Sequence, residues 1–171
     1  MNTSVIAAIV IAVMILLFWL VMSYKGFANL RNSSAAAFSD VEIHYKKRRS
    51  AAADLVKLMK KQVPEEAEVL QNVKDAIDLA AEAVNSAETI RCEGALEGTL
   101  ETLFEAAENH PEFWKSKRFQ KLKSQIELAE RNIASTRKVN NTIVKMMNQR
   151  VKAFPSNLIA KMFHFTEQPM I

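Results

Sequence analysis

Three histidines, one cysteine and a series of glutamates are the side chains of this 171-residue chain with the most chemistry to offer. His44, His110 and His164 stand far apart, none with a second ligand at metal-site spacing. Neither His-Glu-x-x-His nor Cys-x-x-Cys occurs. His110 precedes Pro111 and belongs in a turn, while His44 lies at the apolar edge of a helical pattern and reads as structural. Cys92 follows Arg91, the kind of cation found beside reactive thiols. No histidine lies nearby in sequence to serve as its base, so an inert small residue is the simpler reading. Glycine-rich phosphate loops are absent. The acidic pairs between residues 64 and 109 read as a solvated or ion-paired helix face. No catalytic centre, metal site or cofactor site is expected.

The elements that carry these residues begin with an apolar run. Val5–Met22 is eighteen residues without a charge. At 1.5 Å per residue this is roughly 27 Å, close to the hydrocarbon thickness of a bilayer. A cleaved signal peptide needs a basic start and small residues at its cleavage site. Here the start is uncharged, and the run ends in Trp19, Tyr24 and Lys25, residue types that sit at the membrane interface. The expected organisation is a short extracytoplasmic start (1–4), a single transmembrane anchor (5–24), a helical bundle (25–165) and a flexible tail (166–171). Lys25, Arg31 and Lys46–Arg49 follow the span and none precedes it, which places the bundle in the cytoplasm and the anchor in the cell inner membrane. A lone cysteine is compatible with that reducing compartment.

Only three Gly and four Pro argue against a β-rich chain. Boundaries fall at Pro64, Pro111 and Pro155, because Pro removes a donor and disfavours helix in the residue before it. Three long helical patterns result. The first runs from about Phe27 to Gln62, with Phe38, Val41, Tyr45, Ala52, Leu55 and Met59 on one face; only Gly26 stands against its being continuous with the span. The second follows Pro64 with Leu70, Val73, Ile77, Ala80, Val84 and Ala87. It then slips phase to Leu96, Leu100, Leu103 and Ala107, predicting a kink or break at Gly94 and Gly98. The third carries a bundle seam of Phe119, Leu122, Ile126, Ala129, Ile133, Thr136, Asn140, Ile143, Met147 and Phe154. Asn140 on that seam reads as a buried register-fixing residue, or else as a ligand contact. The fold class expected is all-α: a long antiparallel bundle with a short C-terminal helix.

Charge alternates between these patterns. Residues 24–62 carry net +6, residues 64–109 net −10 and residues 111–171 net +8. Such alternation selects antiparallel neighbours more than it stabilises them, since exposed pairs contribute only ~0–1 kcal/mol each. Folding about residue 63 sets Arg48 opposite Asp78 and Glu82. Folding about residue 112 sets Arg131 near Glu93 and Arg137 near Glu88.

The order of motifs resembles the LemA family of bacterial membrane proteins. Its late signature is carried here by His110-Pro111, Phe119 with Leu122, Glu130-Arg131-Asn132-Ile133, Val139-Asn140, Met147-Asn148, and Phe154-Pro155-Ser156-Asn157-Leu158-Ile159-Ala160 with Phe163-His164-Phe165. Leu30-Arg31-Asn32 and Val41–Arg48 in the first helix are similar too. There are departures. Ala53 stands where the family has Pro, the Tyr of both Tyr-Asn pairs is replaced by Val139 and Met147, and His164 replaces a Gly. The resemblance implies a helical bundle behind a membrane helix and no established catalysis. It also implies an association with envelope functions, including organelle formation in magnetic bacteria.

Basic runs at Lys46–Arg49 and Lys115–Arg118 suit anionic lipid heads better than nucleic acid, at ~1 kcal/mol per basic residue near a membrane surface. With three helices running out, back and out, the turn near residue 112 returns to the bilayer. Phe113, Trp114, Lys115, Lys117 and Arg118 would then form an aromatic-basic foot, or else Phe113 and Trp114 simply cap the bundle. Leu158, Ile159, Met162, Phe163 and Phe165 would lie at the distal end, closing the bundle or presenting a partner-binding face. The expected function is a non-catalytic, membrane-tethered scaffold or adaptor. Its expected partners are membrane lipid, another membrane or cytoplasmic protein, or a second copy of itself. The alternative is direct membrane shaping.

Overall fold

The computed structural model describes residues 3–171, so part of the short start assigned to residues 1–4 lies outside the described residues. The fold is all-α. Its elements are α1 (Thr3–Gln62), a 3-10 turn (Pro64–Glu66), α2 (Ala67–Glu82), α3 (Ser86–Glu108), α4 (Pro111–Trp114), α5 (Lys117–Lys152) and α6 (Ser156–Met162). Gly26 does not interrupt α1, which is one helix of 60 residues. It is long and apolar enough to cross a membrane: its most apolar 18-residue window has mean hydropathy 3.2, and none of that window is buried. The chain divides into two compact units, Asp40–Ser135 and a second made from the residues up to Ser39 with Thr136–Ile171.

In the Asp40–Ser135 unit the break expected at Gly94 and Gly98 falls ten residues earlier. Both glycines lie inside α3. Ala83 leaves the helix at ψ 126, and Asn85 is extended at φ −131, ψ 162. The Asn85 side chain accepts the Glu88 N–H at 2.9 Å, and the Glu88 carboxylate accepts the Val84 N–H at 3.1 Å. This reciprocal cap offers backbone donors partners that a continuous helix would otherwise supply. Val84, placed on the apolar stripe by its spacing, is 90% exposed in the break.

The consequence is one more pass than the sequence suggested. From Asp40 the chain runs to Gln62, back along α2, out along α3 and back along α5. Leu55, Met59, Val63, Leu70, Val73, Leu96, Leu100, Leu103, Phe119 and Ile126 fill the space between. Burial of each large apolar side chain there contributes about 1.5–3 kcal/mol.

The second unit closes on Phe27, Ile159 and Ala160. Asn140 is buried and donates to the Ser34 carbonyl at 3.2 Å, a register-fixing contact between α5 and α1. Phe154, the last residue of the expected seam, is instead 80% exposed. The flexible tail expected at 166–171 is corrected, because α5 holds it at two points. Asn148 donates to the Gln168 carbonyl and accepts the Gln168 N–H, at 2.8 and 2.9 Å. Asn141 does the same for Ile171, at 2.7 and 2.8 Å. Seven helical residues and three extended residues both span about 10 Å, so the two clamps match. Lys152 adds an ion pair with Glu167 at 2.8 Å, and Ser34 donates to the Gln168 side chain at 2.9 Å.

Candidate functional site

The most strongly charged interior of the chain lies in the Asp40–Ser135 unit. Arg48 and Glu93 are 1% and 0% exposed. The Arg48 Nη2 donates to the Glu93 carboxylate at 2.8 Å and to the Glu93 carbonyl at 2.6 Å. Arg49 reaches the other carboxylate oxygen of Glu93 and donates to the Ala80 carbonyl at 3.0 Å. One carboxylate therefore serves two guanidinium groups. The pairings expected from the fold about residues 63 and 112 are corrected accordingly. Arg48 faces α3, with Glu97 at 3.8 Å as a second partner, and not Asp78 or Glu82 on α2. Glu93 is enclosed by α1 arginines, so Arg131 is not its partner. Glu88 caps α3. The physical reason is the break at Val84, which brings α3 rather than α2 across the middle of α1. On α5, burial holds the Glu130 carboxyl above the usual glutamate range; Arg48 opposes this, while Glu97, Glu127 and Glu101 add to it. Cys92 is half-buried, and among the described residues no group of three or more His, Cys, Asp or Glu side chains could hold a metal.

The aromatic-basic foot is also corrected. His110 contacts Glu66 at 3.1 Å and Glu65 at 3.5 Å, so the turn at 109–116 lies at the Gln62 end of this unit, opposite the Asp40 end by which the chain enters. Four passes place it there where three would have returned it. Phe113 is buried, and both Phe113 and Trp114 pack on Phe119 with ring centres 4.9 Å apart. Lys123 covers the Trp114 ring at 4.1 Å. Arg118 instead lines an open groove of about 470 Å³ between α1 and α5, together with Lys57, Lys61 and Lys121. Asp54, 3.5 Å from Lys57, is the one carboxylate among its lining residues.

In the other unit, the segment after α5 lies beside the end of the apolar run and not at a distal end. Tyr24 contacts Phe163 and Phe165 with ring centres 4.8 and 5.9 Å apart, and Phe27 stacks on Phe165 at 5.0 Å. The expected partner face divides here. Ile159 is buried and Phe165 is partly covered, whereas Leu158, Met162 and Phe163 are exposed. α6 ends in a Schellman motif: Phe165 N–H reaches the Ala160 carbonyl at 2.9 Å, and His164 N–H reaches the Lys161 carbonyl at 3.4 Å. His164 takes the left-handed conformation this motif demands, at φ 56.

The match to known families rests on this whole length of helix. The LemA family model matches residues 37–171, from the interior of α1 through both units to the final residue. The chain belongs to the LemA family. No curated protein matches it. LemA is not known as an enzyme family.

The family signature now acquires physical meaning in this LemA chain. The Asn of each Tyr-Asn pair is structural: Asn140 holds α1 and Asn148 holds the tail. Ala53, where the family has Pro, leaves the α1 hydrogen-bond ladder unbroken. The family Gly between the last aromatics corresponds to His164, the left-handed residue after α6. Sequence reading missed Arg49 as a second partner of Glu93. It also missed the Asn141–Asn148 clamp, whose signal was present: two asparagines seven apart on a helix followed by an extended tail of fitting length.

Proposed function

We propose that this LemA protein is a non-catalytic scaffold, tethered by the apolar run of α1 to the cell inner membrane with its start outside and the helical bundle from residue 25 onward in the cytoplasm. It acts through contacts with a protein partner or with a second copy of itself. The observation that carries this reading is the disposition of charge. Arg48, Arg49 and Glu93 are turned inward and hold helices together. Outside, Lys57, Lys61, Arg118 and Lys121 surround an open groove between two helices. That is a surface for acidic macromolecular contact, whereas an enzyme needs polar groups converging on a reacting atom. A second reading, direct contact with lipid, is favoured by the exposed apolar residues of α6 beside the apolar run.

In-cell crosslinking, purification of the full chain in mild detergent and mass spectrometry test the scaffold reading. A stoichiometric partner or self-crosslink that is lost when Lys57, Lys61, Arg118 and Lys121 are changed to Glu supports it. Recovery of only uncrosslinked protein with bound lipid overturns it in favour of the second reading.

A further inference from the structure

The segment between α5 and the tail has two faces. Ile159 and Ala160, at 1% and 2% exposure, pack on Phe27 and satisfy the interior of their unit. Leu158 and Met162 lie one turn apart on one face of α6, at i and i+4, and Phe154 stands in the turn that precedes the helix, joined to Pro155 by a cis peptide bond. Phe154, Leu158 and Met162 are 80%, 52% and 59% exposed. Apolar side chains left open together beside the apolar run of α1 mark a contact surface.

Its position says what covers it. Pro155 and Ser156 share a cleft of about 340 Å³ with Trp19, Met22, Phe27 and Arg150. Phe163 and Phe165 lie at the level of Tyr24 and Phe27. α6 therefore runs alongside the last turns of the apolar run, starting level with Trp19–Ser23 and ending level with Tyr24–Phe27. Trp19 and Tyr24 are of the types that settle at the membrane–water boundary. Whatever depth they take, the start of α6 shares it. Cations are set around it: Lys25, Arg150 and Lys161 make no ion pair among the described residues, and Arg150 lies over Gly26, where a side chain would collide with it.

We propose that the Phe154–Phe163 elbow is a second membrane contact, lying in the interface of an anionic phospholipid bilayer beside α1. Phe154, Leu158 and Met162 enter the upper acyl region, and Lys25, Arg150 and Lys161 meet lipid phosphates. Interfacial helices of this kind bind through apolar area together with attraction to anionic heads. The proposal rests on α1 being the anchor and is independent of the protein-partner reading.

The test uses the full chain with Cys92→Ser, carrying an environment-sensitive fluorophore on a cysteine at position 158, 162 or, as a control, exposed position 79 of α2. The protein is reconstituted into phosphatidylglycerol–phosphatidylcholine vesicles with lipids spin-labelled near the head of the acyl chain. Quenching at 158 and 162 well above that at 79 is expected. Arg150→Glu with Lys161→Glu should shift the elbow out of the bilayer by at least about fivefold per residue. Far-UV circular dichroism of each labelled protein checks that the helices persist. Quenching at 158 and 162 no greater than at 79, in protein that resists alkaline carbonate extraction, overturns the elbow and leaves the anchor standing. Shielding of 158 from aqueous iodide without lipid quenching also overturns it, in favour of a protein cover. Extraction by carbonate overturns the anchor and the elbow together.

Discussion

Replacing Glu93 by Leu should cost far more than replacing Arg48 by Met, although the two face each other at 2.8 Å. Glu93→Leu leaves Arg48 buried without its close carboxylate, holding the residue-93 carbonyl and the face of Tyr45, with Glu97 3.8 Å away and half exposed, and it strips Arg49 of its carboxylate as well. Breaking a buried pair from one side in this way costs about 3–5 kcal/mol. Arg48→Met leaves Glu93 with Arg49, so the loss there is on the order of 1–2 kcal/mol. The double variant removes the stranded charge together with its partner and should be more stable than Glu93→Leu alone, since apolar replacement of a whole buried pair is often neutral or better. Thermal unfolding of the full chain in detergent micelles, followed by far-UV circular dichroism, measures all three. At about 2–4 °C per kcal/mol, Glu93→Leu lowers Tm by roughly 6–20 °C. Equal losses from the two single variants, or a double variant equal to their sum, would refute the one-carboxylate, two-guanidinium account.

Three further outcomes are expected. Because burial raises the Glu130 pKa, the folded state binds a proton that the unfolded state has lost between the usual glutamate range and the raised value. Stability therefore falls as pH rises through that window, and Glu130→Gln should raise Tm at neutral pH and flatten that part of the profile; an unchanged slope contradicts this. His164→Gly should stabilise by about 0.5–1 kcal/mol by relieving a left-handed non-glycine residue at the end of α6, read as slower amide exchange at Phe165. Asn141→Ala with Asn148→Ala removes four hydrogen bonds to the tail, at about 1 kcal/mol each, and should speed proteolysis after residue 165 while leaving helix content unchanged.

Much of this chain is decided locally, and that part was legible in the sequence. Val5–Met22 is apolar all round, so it needs no tertiary partner to be recognised as a helix of spanning length. Pro64, Pro111 and Pro155 end helices by covalent geometry alone, and the seven-residue spacing of Phe119, Ile126 and Ile133 fixes which face of α5 is buried. The placement of sites depended instead on the number of passes. Periodicity placed the break at Gly94 and Gly98, and the structure sets it at Val84, where Asn85 and Glu88 cap the backbone. The cap prevailed because it satisfies the donors that the break exposes, whereas a glycine lowers helix propensity without supplying partners. That single turn moved Arg48 from α2 to α3 and put Trp114 at the Gln62 end of its unit. Where α5 terminates follows from its length. That Phe163 and Phe165 meet Tyr24 and Phe27 there depends on contacts across more than a hundred residues, which only the tertiary structure brings together.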